Sequence, residues 1–580
     1  MLRKPFAGLL AFAFLLSFFG DVRSLPSTNY PPAMSRESAR GRHGMVASQH
    51  QLASRIGVDI LRKGGNAIDA AVAVGFALAV VYPEAGNIGG GGFMLIRKPD
   101  GTATAIDYRE TAPKAATRDM FVNGDGDVIK DEGSSTVGYR ASAVPGTVAG
   151  FELAFKKYGS GKVRWRDLVE PARALAQDGH QLTYSLARKL IADRTGLAKY
   201  ADSNRIFLRE GKYFHEGDVF VQTELARTLG RIATRGASDF YIGETAKLIA
   251  ADMSAGRGLI TLDDLKNYKA VERAPIRGHY RGHEILSMPP PSSGGIVMLE
   301  VLNMLEGYDL GSLGYNSAAR YHLMAEAMRR AFADRAEFMA DADFVDVPVS
   351  RLIDKEYAKQ RGATIDPLKA SSSKEIGHGA ITIGEGMDTT HFTIVDAAGA
   401  VVSNTYTIND LYGSKVTIKG TGILMNDIMD DFAARPGVPN LFGLVQGKRN
   451  KIEPLKRPLS SMTPTIVMKK DGTPWFALGA RGGPRIISAV LQSVINVIDH
   501  GMNLQQAIDA PRVHHQWLPD ELLYEPYGFS PDTTNILKGY GHNFASRPVT
   551  IASATGIMID GDGMRLGVID TRSDGEAIGY

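Results

Sequence analysis

The sequence contains no cysteine in 580 residues. That excludes disulfides, thiolate metal sites and cysteine nucleophiles. It also has almost no charge imbalance. With 66 Lys and Arg against 63 Asp and Glu, the formal net charge is +3, too small to argue for a nucleic-acid partner. Beyond the first two dozen residues there is no apolar run long enough to span a bilayer, so stable membrane insertion is not expected. What remains, 44% hydrophobic and 22% charged, is an ordinary globular composition on a chain long enough for a sizeable core.

Residues 1–24 stand apart. Arg3 and Lys4 precede an apolar run from Phe6 to Gly20, and Val22-Arg23-Ser24 supplies small residues at the −3 and −1 positions of a cut near Ser24. This is the pattern of a secretory signal peptide. An uncleaved anchor is the alternative, opposed by the shortness of the run and by Asp21-Val22-Arg23 at its end. Export without cysteine suits a bacterial periplasm, where folding need not rest on disulfides.

After a polar linker over 25–42, apolar spacing through Leu52, Ile56 and Ile60 predicts a helix to Arg62, stopped by Gly64-Gly65. Asp69 to Tyr82 is almost wholly apolar and reads as a buried helix. The glycine run from Gly86 to Gly92 leads from helix into strand, the reverse of a nucleotide loop, so close backbone packing is expected there. Arg109 ends a strand from Ala103 to Tyr108. It can clamp a carboxylate bidentately or form a surface ion pair with Glu110.

Residues 145–285 read as mostly helical. Asp125-Gly126-Asp127 and Asp560-Gly561-Asp562-Gly563 fit tight turns better than calcium loops. A Pro-Ser-Gly loop over 287–295 opens a helix, and a further helix runs from Asn316 to about Ala340 with Tyr321, Met324, Met328 and Phe332 as a core stripe. Thr465–Met468 and Trp475–Leu478 flank an Asp471-Gly472 turn, a hairpin signal. Gly482-Gly483 then precedes a helix from Pro484 to His500, and its backbone N–H groups are free donors suited to a developing oxyanion. Ser460-Ser461 lie in the loop before this hairpin. His514-His515 lack a carboxylate at metal-ligand spacing and read as structural.

One junction organises the rest. A polar, Gly-rich stretch over 371–388 runs into Asp388-Thr389-Thr390-His391, where period-two alternation begins and continues through a turn at Ala397-Ala398-Gly399 to Thr407. A chain cut there exposes a threonine whose hydroxyl is a nucleophile and whose α-amine is its base. By itself the junction fits equally a strand start whose hydroxyl bonds to backbone.

Long segments across the chain after residue 24 carry a resemblance. They include GGNAIDAAVAVGFALAVVYPEAGNIGGGGFMLIR, IDYRETAP, SMPPPSSGGI, TTHFTIVD, MDDFAARPGVPN, KRPLSSMTPTIV, RGGPRII and APRVHHQWLPDEL. In these the chain closely resembles bacterial γ-glutamyltranspeptidases. The resemblance implies the amino-terminal-nucleophile hydrolase fold, an α+β, αββα four-layer sandwich. It implies cleavage between Asp388 and Thr389 into a large subunit (25–388) and a small one (389–580) that together form one sandwich.

The resemblance further implies Thr389 as nucleophile, with Thr407 hydrogen-bonded to it. Arg109, Ser460 and Ser461 would hold a glutamyl α-carboxylate, Asn409 and Asp431 would lie around its α-amine, and Gly482 and Gly483 would form the oxyanion pair. Substrates would be glutathione and related γ-glutamyl compounds, with water, amino acids or peptides as acceptors; no metal or cofactor is expected.

Two positions depart from the family pattern. Ile428 replaces a polar residue near the α-ammonium, an expected loss of roughly 1.5–3 kcal/mol in glutamyl recognition, which Asp427 offsets only if the loop shifts. Phe442 stands where some relatives carry a lid tyrosine. Ile428 motivates a second reading, an acylase of the same fold taking glutaryl-like side chains. A third is a catalytically silent binding protein.

Overall fold

The computed structural model describes residues 36–130, 132–376 and 389–580. Two seven-stranded antiparallel sheets stack face to face. Their strands in chain order are β1 (Ala39–Gly41), β2 (Met45–Ser48), β3 (Gly91–Arg97), β4 (Ala103–Asp107), β5 (Val271–Arg273), β6 (Ile276–Tyr280), β7 (His283–Ser287), β8 (Thr390–Val395), β9 (Val401–Thr407), β10 (Thr465–Met468), β11 (Pro474–Arg481), β12 (Ser553–Ile559), β13 (Arg565–Ile569) and β14 (Glu576–Gly579). One sheet has the order β14-β2-β8-β9-β3-β4-β5 and the other β1-β13-β12-β11-β10-β7-β6. The expected αββα sandwich is therefore present, and both sheets combine strands from before and after Thr389.

Helices cover both outer faces. On the first sheet lie α1 (Gln51–Arg62), α2 (Ala67–Val81), α3 (Trp165–Asp178) and α4 (Thr223–Arg235), packed on Met94, Ile96, Phe392, Ile394, Val402 and Tyr406. On the second lie α5 (Gly294–Leu305), α6 (Ala318–Phe338) and α7 (Arg485–Ile498), in a cluster with Ile466, Leu478, Ala554 and Ile557. Between the sheets, Phe93 and Leu95 of β3 point inward while Met94 and Ile96 point out. A strand covered on both faces alternates in direction without alternating in polarity, which is why β3, β8 and β9 are buried throughout.

Local chemistry sets the ends of these elements. Asn66 caps α2 by accepting from the amides of Ile68 and Asp69 at 3.0 Å, while the Asp69 carboxylate accepts from the Asn66 amide, a reciprocal capping box. Gly399, at φ +85°, turns β8 into β9, and the Asp396 carboxylate accepts from the Ala400 amide at 2.9 Å.

One element is richer than its pattern. The apolar stripe of α6 is buried as expected, but Arg320, Glu326, Arg329, Arg330 and Arg335 on its remaining sides are buried too. Two of them pair with Glu326, Arg330 donating to its carboxylate at 2.7 Å and Arg329 at 3.1 Å, while Arg320 donates to the Tyr315 carbonyl and the Asn496 side chain.

The glycine run does pack backbone against backbone. A Cβ built on Gly90 would lie 2.1 Å from the carbonyl oxygen of Thr407, and one on Gly89 the same distance from that of Leu424. Gly90→Ala should therefore force β9 away and cost about 1–3 kcal/mol. Calorimetry should show a lowered Tm together with reduced cleavage at Thr389; an unchanged melt would remove the packing argument.

Candidate active site

β8 and β9 pair with Thr390 opposite Tyr406 and His391 opposite Thr405. Continued by one residue, that register sets Thr389 beside Thr407. The Thr389 hydroxyl donates to the Thr407 hydroxyl at 3.4 Å, and the latter accepts from the Asn409 amide at 2.8 Å. Asn409 reaches this position at φ +83°, and its side chain donates to the Asp427 carbonyl at 3.2 Å.

His391, on the same face of β8 two residues on, is not available as a base. Its ring nitrogens meet the Thr405 and Thr393 hydroxyls at 2.8 and 3.0 Å. Burial holds its pKa down to about 3.

Around the two threonines is a small recess with two buried guanidinium groups and one partly buried carboxylate. Its wall includes Arg109, Arg335, Asp431, Ser460 and Ser461. Arg109 is wholly buried, donates to the Asp431 carboxylate, and has Nη1 3.5 Å from Glu110; the surface-pair alternative for Arg109 and Glu110 is excluded. Burial pushes the Asp431 carboxyl upward, with the Arg109 guanidinium opposing. Arg335 donates to the Ser461 hydroxyl at 3.2 Å and to that of Ser293 at 2.9 Å. Burial lowers its guanidinium to about 10, with Asp431 acting the other way. Ser460 is fixed by its neighbours: its amide donates to the Pro291 carbonyl at 2.8 Å, and its carbonyl accepts from the Ser293 hydroxyl at 2.7 Å.

Sequence reasoning missed Arg335, which lines the recess, and the buried position of Glu110 behind it against Arg109. A signal for the first was present: an arginine at the inner end of a helix otherwise lined by core residues.

Gly482 and Gly483 close the recess where β11 turns into α7. Their φ values are +134° and +55°. Among the described residues neither amide donates to a backbone carbonyl, so both N–H groups remain available to a ligand. A Cβ on Gly483 would lie 2.8 Å from the Phe442 ring, and Phe442 is held beside the pair through its carbonyl, which accepts from the Gln516 side chain at 3.2 Å. Free space inside is only about 20 Å³, room for about one water.

The other expectations divide. Asp388, the residue before the expected cut, lies outside the described residues, as do residues 1–24. Ile428 faces away from the recess, packed with Ala112, Met120, Phe121 and Phe432. Asp427 does not line the recess either. Its carboxylate accepts from the Asp410 amide at 2.9 Å and burial pushes its pKa well up, so it supplies no replacement contact. His514 sits between the Ser488 hydroxyl at 2.7 Å and Gln516 at 2.8 Å, a buried structural residue. Among the described residues no group of three or more acidic or histidine side chains is placed to hold a metal, and no helix is long and apolar enough to cross a membrane.

Residues 53–580 match the family model described as gamma-glutamyltranspeptidase. The chain belongs to the γ-glutamyltranspeptidase family. It is 47% identical over 589 residues to the glutathione hydrolase proenzyme of Escherichia coli strain K12, covering 100% of each. It is 50% identical over 514 residues to the protein of the same name from Pseudomonas sp. strain A14, covering 88% of each. Among solved structures it resembles the cephalosporin acylase of Bacillus halodurans with a TM-score of 0.82 at 27% identity, covering 97% of this chain and 99% of that one.

Within this family member, Glu110 offers a pH test. Burial raises its pKa from 4.5 to about 7, despite the opposing Arg109. The folded state thus holds that proton more tightly than the unfolded chain. The carboxyl has no effect on stability below about 4.5; stability falls as pH rises from there through about 7, above which the penalty is complete. Glu110→Gln should flatten the fall in Tm between pH 5 and pH 8; an identical slope in the variant would refute the assignment.

Proposed function

We propose that this chain is the precursor of a γ-glutamyltransferase that also hydrolyses glutathione, with Thr389 as its nucleophile. The observation that carries the reading is the setting of Thr389. Its hydroxyl lies 3.4 Å from that of Thr407, in a recess with one partly buried carboxylate and two buried guanidinium groups. An α-amino acid carries the complementary pair, one ammonium and one carboxylate. Membership of the family, and relatives named glutathione hydrolase proenzyme, support it.

Maturation begins when Thr389 Oγ1 attacks the carbonyl carbon of Asp388. The Thr389 nitrogen leaves as an amine carrying the hydroxyl proton, and Asp388 is left as an ester on Oγ1. Water cleaves the ester, giving a carboxyl terminus at Asp388 and a Thr389 with free amine and hydroxyl. The amine then serves as base. It takes the hydroxyl proton as Oγ1 attacks the γ-carbonyl of a glutamyl compound, while the Gly482 and Gly483 amides stabilise the oxyanion. Collapse expels the leaving amine with that proton and leaves a γ-glutamyl ester. Water, or the amine of an amino acid or peptide, attacks the ester and restores the hydroxyl. Thr407 orients the nucleophile. Arg109, Ser460 and Ser461 hold the α-carboxylate, and Asp431 and Asn409 face the α-ammonium. The leader over 1–24 directs the precursor to the periplasm.

A second reading, a glutaryl acylase, is favoured by the likeness to a cephalosporin acylase; Ile428, which faces away from the recess, no longer supports it. Asp431 argues against it, since a glutaryl group has no ammonium to meet that carboxylate. Asp431→Asn should lower kcat/KM for a γ-glutamyl anilide by roughly 10- to 100-fold, the loss of one charge-assisted hydrogen bond, and change that for a glutaryl anilide little. A native preference for the glutaryl compound would decide for the acylase.

Intact-mass and amino-terminal analysis tests the nucleophile directly. By proportion of 62.6 kDa, the purified protein should give fragments of about 39 and 21 kDa, the larger beginning near Leu25 and the smaller at Thr389. Thr389→Ala should remain one chain. A native protein that stays uncut would leave the silent-binder reading standing.

A further inference from the structure

The recess around Thr389 holds one charged group to which the proposed chemistry gives no task. Arg335 is 1% exposed, yet it lines the recess beside Ser461. With a pKa of about 10 it is still a cation at neutral pH. A guanidinium donates hydrogen bonds and cannot accept them, whereas a hydroxyl offers one proton and two lone pairs. The bond between Arg335 Nη2 and Ser461 Oγ, at 3.2 Å, therefore has a single polarity, with the serine oxygen accepting.

Ser460 is in the same condition, because its Oγ accepts from the Met462 amide at 3.1 Å. Among the described residues neither serine hydroxyl donates to a protein acceptor. Both protons are left for whatever enters the recess. Two O–H donors beside the Arg109 guanidinium suit a carboxylate, which only accepts. They suit a carboxamide poorly, because its NH2 end would meet a donor.

The two serines differ in what fixes their polarity. The Met462 amide is backbone two residues on, whereas Ser461 depends on a side chain of α6 that lies 126 positions away. Arg335 is held in turn: its Nε donates to Ser293 Oγ at 2.9 Å, and Ser293 passes its own proton to the Ser460 carbonyl at 2.7 Å. Arg335 and Ser293 precede Thr389, while Ser460 and Ser461 follow it. After the proposed cut, one subunit would thus set the hydrogen-bond polarity of a serine on the other.

We infer that Arg335 is a positioning residue that determines specificity: by occupying the Ser461 oxygen as acceptor it turns the Ser461 proton to the ligand, so that the recess selects a carboxylate over an isosteric carboxamide. This rests on the assignment of the glutamyl α-carboxylate to Arg109, Ser460 and Ser461 made above. A neutral amide in place of Arg335 accepts as well as donates, and its carbonyl would draw the Ser461 proton away from the ligand.

The test uses the mature enzyme with γ-glutamyl-p-nitroanilide and its α-carboxamide analogue, which share the scissile bond and the ammonium and differ only in that group. The native enzyme should prefer the carboxylate by roughly 100-fold or more in kcat/KM, the effect of two or more charge-assisted contacts. Arg335→Gln should cut this preference by about tenfold, and Ser461→Ala by a similar factor. Added to Ser461→Ala, Arg335→Gln should change the preference by less than about twofold, since the hydroxyl it acts through is gone. A merely structural arginine would lower kcat/KM for both substrates alike and leave the preference untouched.

Arg335→Lys keeps a cation that only donates and should hold the preference within about threefold of native; it carries the test if Arg335→Gln fails to mature. The inference is overturned by a native preference undiminished in Arg335→Gln, by an equal drop with and without the Ser461 hydroxyl, or by a preference in Arg335→Lys as low as in Ser461→Ala. A native enzyme that takes both substrates alike defeats the recess assignment instead, and the role of Arg335 falls with it.

Discussion

The antiparallel register of β8 on β9 is the constraint on which the site depends. With Thr390 opposite Tyr406, Thr389, His391 and Thr393 face the second sheet while Phe392 and Ile394 face α2. A slip of one residue would exchange the two sets, burying hydroxyls under a wholly apolar helix. The register is held from both sides: β2 pairs with the second half of β8, and β3 pairs with the whole of β9. Packing then adds a third restraint. Gly479 of β11 lies against the His391 ring, where a Cβ would come within 2.4 Å, so the two sheets meet at one distance only. The hydroxyl pair and the Gly-Gly turn are brought together by this stack of strands, with the Asn409 amide after β9 fixing the Thr407 hydroxyl.

Electrostatics supplies the second half of the design. Arg109, Arg335 and Asp431 have been taken out of water together, at a desolvation cost that none could bear alone. The cost is offset by mutual contacts and by hydroxyls: Ser461 and Ser293 on Arg335, the Pro458 carbonyl on Arg109 at 3.3 Å. A recess wired in this way is polar and narrow, an environment in which a charged ligand group gains much from a matched partner.

Much of this was legible in the sequence because it is local. Period-two alternation and a Gly-containing turn give the β8–β9 hairpin; the apolar run after Asn66 gives α2; an Asp-Gly turn gives β10–β11, and a Gly-Gly pair ahead of an apolar helix gives the candidate oxyanion turn. The rest is long-range. Arg335 meets Ser461 across 126 positions, and nothing in the α6 pattern tells which of its polar residues are solvated. The direction of Ile428 was equally hidden: its neighbours Ala112, Met120 and Phe121 come from a loop more than 300 positions upstream. Residue types at a site follow from motifs, whereas side-chain direction follows from tertiary packing.

On the proposed assignment, the Arg109–Asp431 pair is also what a ligand entering the nearly closed recess would have to displace. With room for about one water, entry of a glutamyl head requires the two side chains to part. Parting a buried pair is costly unless each charge finds a new partner at once. A zwitterionic α-amino acid provides both: its carboxylate meets the guanidinium and its ammonium meets the carboxylate. A dicarboxylic acyl group without the ammonium provides one and leaves Asp431 unmatched, the more expensive of the two outcomes. On the proposed assignment, selectivity would arise from the ion pair that the ligand must replace, and Ile428, which faces away from the recess, takes no part in it.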